Sequence, residues 1–128
     1  MSTNACIAKG TPDNWEGVYV HWDGYPEGLG RDLIANYIAI GSDLDLLIKE
    51  SIDNHPTGWS SYPDKAYDVE GEPEMIITSE DDEGGLYVYI LTGEGIYVGI
   101  VAVSNNFILV EWDQMEKMKD DMFERVKT

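Results

Sequence analysis

Between residues 66 and 116 the chain has no lysine or arginine, yet it carries Asp68, Glu70, Glu72, Glu74, Glu80, Asp81, Asp82, Glu83, Glu94, Glu111, Asp113 and Glu116. That is twelve acids against no base. Over the whole chain 25 acidic residues stand against 8 basic ones, a net charge of -17 on 128 residues. A folded chain of that charge repels itself and surrounds itself with a negative field. The candidate functions narrow to attracting a cationic partner, imitating a polyanion, or binding a cation.

The acid does not belong to a disordered tail. Such segments are poor in aromatic and β-branched residues, whereas 43% of this chain is hydrophobic and Trp15, Trp22, Trp59, Trp112 and eight tyrosines are spread along it. The length suits a single globular domain over residues 1–128, able to bury roughly two-thirds of its unfolded surface. Cys6 is the only cysteine, so an internal disulfide and a multi-cysteine zinc site are excluded and a reducing compartment is expected. No apolar run reaches the roughly 18 residues of a membrane span, and residues 1–10 lack the pattern of a signal peptide. The expectation is a soluble, cytoplasmic protein.

Local patterns predict an α+β fold. Residues 15–23 are β-branched and aromatic and read as a strand, paired with residues 5–9 across the turn 10–13. Three glycines and a proline in residues 24–30 exclude a helix interior. Leu33, Ile34, Tyr37 and Ile38 then mark a helix over about 30–40, and Leu44, Leu47, Ile48 and Ile52 a second one ending near Asn54, capped by Ser42 or Asp43. Residues 55–73 read as an ordered loop folded over one edge of the core. The stretches 75–79, 86–92, 96–103 and 107–112, separated by short turn-forming gaps, predict a four-strand antiparallel meander. Met115, Met118, Met122 and Val126 predict a C-terminal helix over about 113–127, which also carries Lys117, Lys119, Arg125 and Lys127, four of the basic residues. The core is expected to include Leu33, Tyr37, Leu47, Ile48, Tyr87, Tyr89, Ile100 and Val110.

The densest local signature is V-Y-V-H-W-D-G-Y-P-E-G-L-G over residues 18–30. Strand alternation puts Tyr19, His21 and Asp23 on one face. His21 beside Asp23 could fix an imidazole tautomer for acid–base work or offer two metal ligands. The plainer reading makes His21 a hydrogen-bonded residue of the sheet and Asp23 the cap of the following turn. A zinc site needs three or four ligands, and His55 has no second partner at ligand spacing. No metal set, catalytic set or cofactor motif is therefore read. Asp81, Asp82, Glu83, Gly84 and Gly85 have the composition of a calcium loop without its alternating ligands, Gly24, Gly28 and Gly30 lack the lysine of a phosphate cradle, and Cys6 lies inert in an apolar strand.

Tyr19, His21, Trp22, Asp23, Gly24, Tyr25, Pro26, Gly28, Gly30, Leu33 and Tyr37 form a Y-x-H-W-D-G-Y-P-x-G-x-G pattern followed by a helix. Over residues 15–50 this resembles a group of small uncharacterised proteins associated with bacteriophage genomes. The resemblance implies a viral protein acting inside a bacterial cell, and brings no activity with it.

Two functions from different classes follow. The first is an interaction protein that binds and inhibits a basic, nucleic-acid-binding host protein by presenting carboxylates where phosphates lie, as a DNA mimic of anti-restriction or anti-CRISPR type. Its expected contact residues are Glu70, Glu72, Glu74, Glu80, Asp81, Asp82, Glu83 and Glu94. Direct nucleic-acid binding is not expected, because phosphate contacts need positive charge. The alternative is a small enzyme or a binder of a small molecule or metal, with His21, Asp23, Tyr25 and Trp59 lining a pocket against the 55–73 loop.

Overall fold

A computed structural model of the chain describes residues 3–63, 65–66, 74–80, 86–100 and 107–123. β1 (Ala5–Thr11) and β2 (Asn14–Trp22) form the expected hairpin, in register from Ala5 opposite Val20 to Thr11 opposite Asn14. Alternation sends Ala5, Ile7, Val18 and Val20 to one face and Cys6, Ala8 and Trp15 to the other, and all are buried. Six further strands follow: β3 (Trp59–Ser61), β4 (Lys65–Ala66), β5 (Ile76–Thr78), β6 (Tyr87–Leu91), β7 (Gly95–Ile100) and β8 (Ile108–Glu111). They build one sheet in the order β4-β3-β2-β1-β6-β7-β8, with β5 also on β2, beside β3.

After β2 the chain must turn sharply, and residues 23–30 are built for it. Asp23 adopts a left-handed backbone with φ 59°, and its carbonyl accepts from the Leu29 amide at 3.0 Å. Gly24 lies so close to β1 that a Cβ there would stand 2.6 Å from the Ala5 Cβ. Its amide donates to the Thr3 carbonyl at 2.8 Å, and its own carbonyl accepts from the buried Tyr89 hydroxyl at 2.6 Å. A π-helical turn, Pro26–Gly30, then leads into α1 (Arg31–Ala39). Gly41, with φ 82°, ends that helix, and the Asp43 carboxylate accepts from the Leu46 amide to cap α2 (Leu44–Ile48), which runs on into a second π-helical turn, Lys49–Asp53. This helical layer covers one face of the sheet, burying Leu29, Leu33, Ile34, Leu47 and Ile52 against Ile7, Val18, Tyr89 and Val98. The other face holds Leu86, Val88 and Ile90 with Trp15, Tyr19, Tyr97 and Phe107.

Of the expected core, Leu33, Leu47, Tyr89, Ile100 and Val110 are buried, and Tyr37, Ile48 and Tyr87 pack partly buried against them. The α+β class stands, and four of its details change. The stretch 55–73, expected as a loop, contributes β3 and β4 to the sheet beside β2. The sheet is mixed: β1 lies between β2 and β6 and runs parallel to β6, with Ala5 opposite Tyr87 and Lys9 opposite Leu91. The meander has three strands, because β5 leaves it for the outer edge of β2, with Val18 opposite Ile76. In place of the C-terminal helix there is one 3-10 turn, Met115–Lys117, followed by further turns to Phe123. Val126 lies outside the described residues. The methionines are used nonetheless: Met118 is fully buried, and Met115 and Met122 pack against the core.

Candidate functional site

The strand directions fix where the charges come to lie. Parallel pairing of β1 with β6, and antiparallel pairing elsewhere around them, bring to one end of the sheet the β1–β2 turn, the end of β5, the β6–β7 turn and the end of β8. Asp13, Glu16, Glu80, Glu94, Glu111 and Asp113 all sit at that end, and all are exposed. Six strands at about 4.8 Å spacing make a ridge roughly 24 Å wide. Along its axis, one strand of B-DNA places about seven phosphates in the same length.

Three of these acids stand on turns held by a threonine two residues earlier. The Thr11 hydroxyl accepts from the Asn14 amide at 3.2 Å beneath Asp13. The Thr78 hydroxyl accepts from the Glu80 amide at 3.3 Å, while the Ser79 amide donates to the Trp15 carbonyl at 2.9 Å. The Thr92 hydroxyl accepts from the Glu94 and Gly95 amides and donates to the Gly95 carbonyl at 2.9 Å. Hydroxyl-to-backbone bonds of this kind lock short turns. Trp112 fixes the far side: its indole N–H donates to the Thr92 carbonyl at 2.9 Å, and its ring stacks on Tyr37 of α1 at 3.8 Å. The sequence signal for this was T-P-D, T-S-E and T-G-E at 11–13, 78–80 and 92–94, a spacing that becomes meaningful once the three turns are known to share one end.

Every acidic residue among the described ones is exposed, and the one ion pair among them joins Lys9 Nζ to Asp53 Oδ1 at 2.8 Å. That bond raises the lysine pKa above its ordinary 10.5, with partial burial opposing it and the charges of Asp53 and Glu16 adding to it. Lys9 stands directly across from Glu16 in the hairpin. Two hollows flank this cross-strand pair. One, of about 600 Å³, involves Trp15, Asn14, Thr78, Ser79 and Glu80; the other, of about 170 Å³, lies toward Ile52, Asp53, Pro56 and Ile76.

Of the contact residues expected from sequence, Glu80 and Glu94 lie at the acidic end, while Glu74 is exposed beyond the opposite end of β5. Glu70, Glu72, Asp81, Asp82 and Glu83 fall outside the described residues. Sequence reasoning missed Asp13, Glu16 and Asp53, and placed Glu111 and Asp113 in the acidic block without assigning them to contacts.

The four residues of the alternative pocket are not brought together. Trp59 is opposite Val20 in the core on the helix-covered side, with its indole N–H donating to the Ser51 carbonyl at 2.8 Å and its ring against His55. It belongs to a buried network in which the Tyr62 hydroxyl meets Asn36 Nδ2 at 2.9 Å and Ser51 Oγ at 3.0 Å. Alternation sends His21 to the other face, where its Nδ1 is 3.1 Å from the Tyr19 hydroxyl. Asp23 and Tyr25 are exposed at the turn beyond. Among the described residues no three His, Cys, Asp or Glu side chains are placed to hold a metal ion, and no helix is long and apolar enough to cross a membrane. Comparison with protein-family models, with curated proteins and with solved structures gives no match.

Proposed function

We propose that this chain is an interaction protein whose acidic sheet end occupies the nucleic-acid site of a basic host protein. The observation that carries the reading is the gathering of Asp13, Glu16, Glu80, Glu94, Glu111 and Asp113 at one end of a single sheet. Carboxylates held on pinned turns lose little freedom on binding, so their charge-assisted bonds to lysine and arginine yield more of their energy as affinity. Under this reading, the resemblance of residues 15–50 to bacteriophage-associated proteins makes the basic partner a protein of a bacterial host.

The test is competition. Basic proteins of a bacterial lysate are first retained on immobilised heparin, eluted, and passed over the immobilised chain at low and high salt. The expected result is retention of a nucleic-acid-binding protein at low salt, its release by added duplex DNA, and weakening as salt rises. Retention that neither DNA nor salt disturbs would overturn the reading.

A further inference from the structure

The smaller hollow lies between the sheet and the end of the second π-helical turn, on the helix-covered face. Its floor is apolar: Ile52 is buried, Pro56 is half-buried, and Ile76 is 44% exposed although β5 aligns it with the buried Val18. Its rim carries two carboxylates in different states. Asp53 already accepts from the Lys9 ammonium at 2.8 Å. Glu16, facing Lys9 across the hairpin, makes no ion pair with a described residue.

An apolar floor leading to a carboxylate that feels Lys9 only through its field, with no ion pair of its own to a described residue, suits a side chain with a long hydrocarbon stem and a cationic tip. A purely apolar side chain would strip water from Glu16 and return nothing. Lysine and arginine both have such stems, and the rim separates them. The ammonium of an incoming lysine would keep its tight hydration and compete with Lys9 for the same point-like contact. A guanidinium is planar, more weakly hydrated, and bonds a carboxylate through two parallel N–H groups.

We propose that this hollow seats an arginine side chain projecting from the basic partner, with its methylenes on Ile52, Pro56 and Ile76 and its guanidinium on Glu16, while Lys9 holds Asp53. The inference rests on the reading of the acidic end as a surface for a basic protein, and gives that surface one specific anchor.

Labelled oligo-arginine and oligo-lysine peptides of equal length, titrated against the full chain at low and high salt, test it. The arginine peptide is expected to bind more tightly. Glu16→Gln should weaken it roughly tenfold, the loss of a charged hydrogen bond. Ile76→Ser, which removes floor without touching charge, should weaken it by about threefold. Glu94→Gln makes the same charge change at the same sheet end outside the hollow, and its effect should stay within about threefold. Melting temperatures check that each variant is folded, and should Glu16→Gln melt early, Ile76→Ser reads the hollow independently. Equal losses from Glu16→Gln and Glu94→Gln, with binding still salt-sensitive, would overturn the arginine seat and leave the acidic-surface reading standing. Equal affinity for the two peptides would overturn the choice of arginine. Binding indifferent to salt and to all three substitutions would overturn both readings.

Discussion

The Tyr89 hydroxyl ties the sheet to the turn that launches the helical layer, and both Tyr89 and Gly24 are buried. Tyr89→Phe leaves the Gly24 carbonyl without its 2.6 Å donor and should lower stability by about 1–3 kcal/mol in denaturant unfolding; a change under a few tenths would mean the carbonyl finds another partner. Burial raises the pKa of Tyr89 well above the ordinary 10.0, and burial also raises that of Tyr62, against the opposing pull of its bonds to Ser51 and Asn36. The folded state favours the neutral phenols, so their contribution is whole below pH 10 and is lost as pH rises above that value. Lys9 acts in the same direction above its ordinary 10.5, though so exposed a pair contributes at most about 1 kcal/mol. An alkaline titration followed by tyrosinate absorbance and circular dichroism should show a late group of tyrosines ionising together with unfolding. All tyrosines titrating while the fold persists would contradict this. At this scale the sequence offered His21 beside Asp23 as its chemical feature, and the left-handed backbone at Asp23 ends the strand alternation on which that pairing depended.

Among the elements, strands were legible where alternation and turn residues agree, as in the β1–β2 hairpin and β6 to β8. The parallel β1–β6 pair and the departure of β5 were not, because no local turn specifies which distant edge a strand will fill. The C-terminal segment shows a different limit. Met115, Met118 and Met122 have helical spacing, but the backbone there is engaged elsewhere: the Met118 carbonyl accepts from Arg31 Nε at 2.9 Å, the Asp120 amide donates to the Glu27 carboxylate, and the Glu27 amide donates to the Asp120 carboxylate. Long-range partners have taken the groups a helix would have bonded to itself. The three threonine turns yield a prediction free of charge effects. Replacing Thr11, Thr78 and Thr92 together by valine leaves the net charge unchanged, yet should weaken binding to the proposed basic partner several-fold by unlocking the acids they present. Unaltered affinity in a folded triple variant would show that the turns need not be pinned.

For the molecule as a whole, the total charge was plain from composition, but which acids share one end of the sheet required the strand order. Self-repulsion among exposed carboxylates should make the fold respond to screening: the melting temperature is expected to rise between about 10 mM and 150 mM sodium chloride, as the Debye length falls from about 30 Å to 8 Å. A melting temperature flat or falling over that range would mean the charges are too far apart to oppose folding. The parallel pairing of β1 with β6 has a consequence in time. During synthesis the N-terminal hairpin emerges first, with the β1 edge that belongs to β6 exposed and apolar, and that edge must wait until residues 87–91 have been made. Closing so long a loop is entropically slow, and an unfilled strand edge invites the wrong neighbour. The dense negative charge would meanwhile hold nascent copies apart, so the property that marks the folded surface would also protect the chain while it is incomplete.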